Sequence, residues 1–183
     1  MPKTFKQIKE EFVAGVRVSG AKTNNPVVVA IVGAIGSGKS TIARELKKHL
    51  GWAVTSRDKI RVMLREKGRG FNPQKVNEVN FAMLASILKN GGNVILDSDA
   101  VIRAKRKKLE KFARMFRAKV VYLRLICDPD VMLERILHSR YNPKTDLFKN
   151  AVVALHEHIR RLPWHYRWSE ADGGKFVLRG LHI

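Results

Sequence analysis

The chain has 183 residues, 45% of them hydrophobic, and carries 36 Lys and Arg against 16 Asp and Glu, a formal net charge of +20 at pH 7. That is one domain's worth of chain with enough apolar content for a core, and the lone Cys127 excludes an intramolecular disulfide or a multi-thiolate zinc site and suits a reducing compartment. Lys3, Lys6, Lys9, Glu10 and Glu11 interrupt the N-terminal stretch, and no run of about 18 apolar residues occurs anywhere, so the expectation is a soluble, cytoplasmic protein with no membrane partner.

In chain order, Phe5, Ile8, Phe12 and Val16 fall on one helical face, which predicts an amphipathic helix ahead of a polar connector over 19–26. The apolar run Val27–Val32 reads as a buried strand. It leads straight into Gly33-Ala34-Ile35-Gly36-Ser37-Gly38-Lys39-Ser40, a match to the phosphate-binding pattern G-x-x-x-x-G-K-[ST], and then into a helix over 39–50 closed by Gly51. Strand, glycine turn and helix together have a mechanism, because the turn's N–H groups and the positive helix end converge on one anion. Gly33, Gly36, Ser37, Gly38, Lys39, Ser40 and Thr41 are therefore the expected nucleotide site, for ATP or GTP. Lys39 reaches the β- and γ-phosphates there, and the Ser40 hydroxyl ligates Mg²⁺.

A short strand over 53–55 meets the polar cluster Ser56-Arg57-Asp58, and helices follow over 58–67 and 73–89. A carboxylate at a strand end beside the phosphate loop is placed to take the proton of an attacking hydroxyl, which makes Asp58 the candidate general base. Arg61, one turn on, is a candidate to hold the acceptor's phosphate or the γ-phosphate. The bland alternative is a capping aspartate with a solvated arginine. The next strand, 94–97, ends in Asp97, a second metal candidate with Ser40; Asp99 follows two residues later, and either can instead cap a helix.

Over 101–119, Arg103, Lys105, Arg106, Lys107, Lys108, Lys111, Arg114, Arg117 and Lys119 face Glu110 alone, while Ile102, Leu109, Phe112, Ala113 and Phe116 recur at helical spacing. This predicts a helix with an apolar inner stripe and a basic outer face. Arg103, Lys105, Arg106, Lys107 and Lys108 are its candidate contacts to a polyanion, nucleic acid first, the alternative being a solvated face with no partner. A strand over 120–125 precedes a helix over 130–138, where Arg135 and Arg140 are candidates to neutralise charge on a transferring phosphoryl group. His156 and His158 flank Glu157 on a helix over 146–162; at i and i+2 they point apart, so no metal site is expected. Trp164, Tyr166 and Trp168 can stack bases or cover the core, and 176–178 reads as a last strand. Strands alternating with helices predict a single three-layer α/β/α domain over 1–183, which the phosphate loop makes a P-loop NTPase. Its five-stranded parallel sheet binds ligands at the strands' carboxyl ends, under a lid near 130–145.

Gly33 to Thr41, Ser56-Arg57-Asp58 with Arg61, Asp97, and the segment carrying Arg135 and Arg140 together resemble the P-loop kinases grouped around phage-type 5′-hydroxyl polynucleotide kinases and zeta-toxin-like kinases, over about 27–140. The resemblance implies that Asp58 is the general base, that Arg61 contacts the acceptor-side phosphate region and that Arg140 is the lid arginine binding ATP phosphates. Where those kinases usually read D-T-N, this chain has Asp97-Ser98-Asp99, a departure at the asparagine that contacts the acceptor. The loop is also similar to that of small-metabolite kinases such as dephospho-coenzyme A kinase. The expected activity is ATP- and Mg²⁺-dependent transfer to a nucleic-acid hydroxyl, first a polynucleotide 5′-hydroxyl end. The alternatives are a small anionic metabolite, nucleotide or sugar nucleotide as acceptor, or an NTP-binding switch or RNA-binding module with none.

Overall fold

The computed structural model describes residues 3–18, 22–70 and 72–181. The chain runs α1 (Phe5–Ala14), β1 (Val27–Val32), α2 (Lys39–Leu50), β2 (Ala53–Ser56), α3 (Arg57–Glu66), α4 (Pro73–Lys89), β3 (Val94–Asp97), α5 (Arg103–Arg114), β4 (Lys119–Arg124), α6 (Pro129–His138) and α7 (Ala151–Arg161). After a 3₁₀ turn over Leu162–Trp164 come β5 (Tyr166–Ser169) and β6 (Lys175–Leu178).

β1 to β4 form one parallel sheet in the order β2-β3-β1-β4. Alternation along the inner strands sorts its two faces. Val28, Ala30, Val32, Val94 and Leu96 pack with Leu84, Ile87 and Leu88 of α4 and Leu109 and Ala113 of α5, whereas Ile31 and Ile95 pack with Ala43 of α2. Helices therefore cover both faces, as buried parallel strands require. The same parity puts Asp97, two residues past Ile95, on the α2 side, where Ser40 lies in the first turn of α2. The metal candidates meet because β3 is pleated.

The sheet has four strands, not the expected five. Lys175–Leu178 pairs antiparallel with Tyr166–Ser169 in a separate hairpin, from Tyr166 opposite Leu178 to Ser169 opposite Lys175. A parallel fifth strand needs a long crossover, whereas a nearby strand needs only a tight turn, and the chain takes the shorter closure. The basic helix is also shorter than 101–119. It ends at Arg114 because Arg117 adopts a left-handed φ of 55°, which turns the chain back toward β4.

On that helix Arg106 departs from the expected basic face. It is 4% exposed, its guanidinium donates to the Ala100 carbonyl at 3.0 Å and to that of Val101, and it lies 5.9 Å above the Tyr122 ring. Three residues before Leu109 and seven before Ala113, it falls on the inward stripe and serves the fold. Lys107 is exposed, while Lys108 lies 5.3 Å over the Phe81 ring.

α1 begins with a capping box between Thr4 and Gln7 and buries Ile8 and Phe12 against Ile60, Leu64, Val76 and Val79, so it docks on α3 and α4. The helix expected from 146 starts at Ala151, where the Asn150 side chain accepts the Val153 N–H. Among the described residues no helix is long and apolar enough to cross a membrane.

Candidate active site

At the carboxyl end of β1 the chain wraps a cavity of about 260 Å³. Gly33, Gly36, Gly38, Lys39, Ser40 and Thr41 form one wall; Arg57, Asp58, Arg61, Asp99, Lys105, Arg161 and His165 form the other, with Leu147, Phe148 and Trp164. The loop's glycines are demanded by contact as well as by backbone angle. A Cβ at Gly33 would stand 2.5 Å from Ser37 Oγ, and one at Gly36, where φ is +84°, would stand 2.7 Å from the Met132 carbonyl.

Lys39 Nζ donates to the Gly33 carbonyl at 2.8 Å and the Ala34 carbonyl at 2.7 Å, so the ammonium stays within the loop. Burial pushes its pKa down, and the carboxylates of Asp99, Asp58 and Asp97 oppose that shift. Asp97 is 7% exposed and shifts the other way: burial raises its pKa, against a hydrogen bond with Ser40. A serine hydroxyl on a buried strand-end carboxylate beside a phosphate loop is a donor set that fits Mg²⁺ carried by a nucleotide. The buried Ser37 Oγ has no hydrogen-bond partner, which also fits a phosphate-facing hydroxyl.

The raised Asp97 pKa has a consequence for stability. The folded chain holds this proton more tightly than the unfolded chain, so the group's cost appears as pH rises above its unfolded value and is fully present once pH passes the raised folded value. Asp97→Asn is expected to keep or raise the melting temperature at pH 7 while weakening apparent Mg²⁺ affinity about 10- to 100-fold. Melting curves and Mg²⁺ titrations of activity check both. A variant that melts earlier yet uses Mg²⁺ normally would contradict the assignment.

Ser56, not Asp58, caps α3, its side chain accepting the Lys59 N–H. Asp58 sits in the first turn and pairs with Arg61 Nη1 at 3.0 Å, with the arginine side chain 18% exposed and the carboxylate 55%. Both line the cavity. Arg57, Arg61, Lys105 and Arg161 gather opposite the loop. Burial lowers the pKa of Arg57 and of Lys105, and the positive neighbours in this group lower both further. Arg61 is paired with Asp58 and Arg161 with Glu157 at 2.6 Å, yet the cations of this wall outnumber its carboxylates, which suits an anionic group in the cavity.

Asp99 does not cap α5, whose N-cap is Ile102. Its Oδ1 accepts the Val101 N–H at 3.2 Å and its Oδ2 accepts from His165 Nε2 at 3.1 Å. Burial works to raise the Asp99 pKa, but the His165 hydrogen bond, the charges of His165 and Lys39 and the Val101 N–H together hold it below the usual range. On α7, buried His158 donates from Nδ1 to the Ile35 carbonyl at 3.0 Å and ties that helix to the loop; burial lowers its pKa.

The segment carrying the two lid candidates brings Arg135, not Arg140, to the loop. Arg135 Nη1 donates to the Gly36 carbonyl at 3.3 Å and to Cys127 Sγ at 3.4 Å. Arg140 lies beyond the end of α6, where Ser139 is already extended, and it stands exposed outside the cavity wall. Of the aromatic trio, Trp164 lines the cavity. Tyr166 is buried and donates to the Cys127 carbonyl at 2.7 Å, and Trp168 packs edge-on to Phe176. Residues that sequence reasoning missed as site members are Arg57, Arg161, His165, Leu147 and Phe148. Arg57 carried a signal, standing in the polar strand-end cluster, whereas the others reach the cavity only through tertiary folding.

Comparison with known proteins gives the fold a family. The solved structures similar to the chain include a putative kinase from Chloroflexus aurantiacus J-10-fl, with TM-score 0.51 and 21% identity over 64% of this chain and 68% of that one. A chain of the Pnkp1/Rnl/Hen1 complex has TM-score 0.54 and 23% identity, covering 67% of this chain and 43% of its own length. A chain from the PezAT toxin-antitoxin system of Streptococcus pneumoniae has TM-score 0.57 and 13% identity, covering 73% of this chain and 60% of its own. No curated protein sequence matches the chain. These likenesses show a P-loop kinase-type α/β fold. The sequence model of the family described as AAA domain, AAA_33, matches residues 28–162, from β1 through α7, and the chain belongs to that family.

Proposed function

We propose that this chain is an ATP- and Mg²⁺-dependent kinase that transfers the γ-phosphate to a hydroxyl of a nucleic acid, a polynucleotide 5′-hydroxyl end. One observation carries the acceptor: Lys105 belongs both to the cavity wall and to the basic helix α5, so the cationic lining of the site continues onto a basic surface. Asp58 would take the proton as the hydroxyl oxygen bonds to the γ-phosphorus and the bond to the bridging oxygen breaks, releasing ADP. Lys39 and Arg135 face the phosphate loop and would balance charge there, while Arg57, Arg61 and Arg161 would hold the acceptor's phosphates. Mg²⁺ held by Ser40 and Asp97 would neutralise the triphosphate. A second reading keeps this chemistry with a small anionic metabolite, nucleotide or sugar nucleotide as acceptor, because four cations inside the cavity suffice for one. Incubation with [γ-³²P]ATP and 5′-hydroxyl RNA, 5′-hydroxyl DNA or a metabolite panel separates the two.

If α5 tracks a phosphate backbone, reversing charge at Arg103, Lys107 and Lys108 should weaken binding of all oligonucleotide sequences alike. The logarithm of the binding constant should fall with that of salt by about 0.7 per contacted phosphate on a single strand, and less steeply in the variant. Unchanged affinity and slope would give the metabolite reading first place.

A further inference from the structure

Between α6 and α7 the chain has no regular structure, and a segment of this kind is costly to order unless something holds it. Within it is a self-contained turn, in which the Asn142 N–H donates to Asp146 Oδ2 at 2.7 Å and the Asp146 N–H donates to the Asn142 carbonyl at 2.9 Å. The carbonyls around this turn converge on one side chain of another element. Arg65, on α3, donates to the carbonyls of Asp146 at 2.7 Å, Pro143 at 3.0 Å, Lys144 at 3.3 Å and Leu147 at 3.4 Å. A guanidinium suits this task, having several fixed donors and no acceptor. The residues that follow, Leu147 and Phe148, line the catalytic cavity and also a second cavity of about 350 Å³ beside it, where Arg65 itself lies. They are a partition, and Arg65 stands behind it.

We propose that Arg65 is a positioning residue for the acceptor, holding the 143–147 carbonyls so that Leu147 and Phe148 form a ready-made wall of the acceptor site; this rests on the kinase reading above. A wall ordered beforehand spares the acceptor the entropy of ordering it, so the clamp acts on acceptor binding. The phosphate loop lies across the cavity and does not touch Arg65. Nucleotide binding is therefore independent of it, as is the transfer step once the acceptor is seated.

The full chain and its Arg65→Ala, Arg65→Lys and Phe148→Ala variants test this with a 5′-hydroxyl hexanucleotide. Amide hydrogen exchange over 141–149 should speed up about tenfold or more in Arg65→Ala and less in Arg65→Lys, since each lost bond to a charged group is worth about a decade. The acceptor KM should rise by a similar factor, with kcat at saturating acceptor and ATP affinity held within about threefold. Phe148→Ala should raise KM without changing exchange, and joining it to Arg65→Ala should add less than the sum of the two. Unchanged exchange, an unchanged acceptor KM, or ATP affinity and kcat falling together with the melting temperature would each overturn the proposal. A parent chain inactive on the hexanucleotide would overturn the nucleic-acid reading instead, and exchange alone would then decide the clamp.

Discussion

Lys39→Met is expected to fold normally and to transfer phosphate at least about 10²- to 10³-fold more slowly, the scale for losing one preorganised charge-stabilising donor. Methionine keeps the aliphatic stem and removes only the ammonium. In the parent that ammonium bonds the Gly33 and Ala34 carbonyls, and burial lowers its pKa, so its charge is an expense to the fold. Removing it should cost little stability. Loss of function without loss of fold identifies a group kept for its charge toward a ligand. Steady-state transfer and thermal melting measured on the same preparation check the result, and normal turnover would remove the phosphate-loop assignment.

Asp58→Asn should lower transfer by about 10²- to 10⁴-fold while leaving ATP affinity and melting temperature close to those of the parent. The carboxylate is more than half exposed and pairs with Arg61 at 3.0 Å, an arrangement worth little to stability. Asparagine preserves its shape and its place on α3 but cannot take a proton. Single-turnover transfer alongside nucleotide titration separates chemistry from binding. Undiminished transfer would reduce Asp58 to a partner of Arg61 and favour a nucleotide-binding switch with no acceptor.

The wall of the cavity built on the glycine loop was legible because its signals are local. Val27–Val32, the glycine loop and the helix over 39–50 are contiguous, and the structure places all three where the pattern puts them. Asp97 was placed at the end of a strand for the same reason, because it closes the apolar run Val94–Leu96, while Asp58 follows its strand in the first turn of the next helix. The opposite wall is assembled from residues far apart in sequence. Arg161 and His165 face Arg57 and Asp99 only after α7 folds back on the sheet, and no periodicity announces that. Arg106 misled because charge was weighed above position: its spacing to Leu109 and Ala113 is that of a core residue, and the backbone carbonyls of Ala100 and Val101 let it be one. Arg135 displaced Arg140 at the loop because α6 stops between them, and helix ends are set by capping and tertiary contact. The missing fifth strand is a competition between pairings that an apolar triplet at 176–178 does not reveal.

The hairpin that took that strand also alters the order in which the catalytic cleft can be completed during synthesis. His165 precedes it and reaches back 66 positions to Asp99, while the Tyr166 hydroxyl meets the Cys127 backbone 39 positions earlier. Such long-range closures are late and slow compared with local ones. A ribosome that has finished β1, α2 and β3 therefore carries a nascent chain whose glycine loop still lacks the contacts of Met132, Arg135 and His158, and whose cavity lacks the wall that holds His165 and Trp164. The cleft becomes two-sided only once residues near 165 have left the exit tunnel, so its two walls are completed at different moments in the life of the polypeptide.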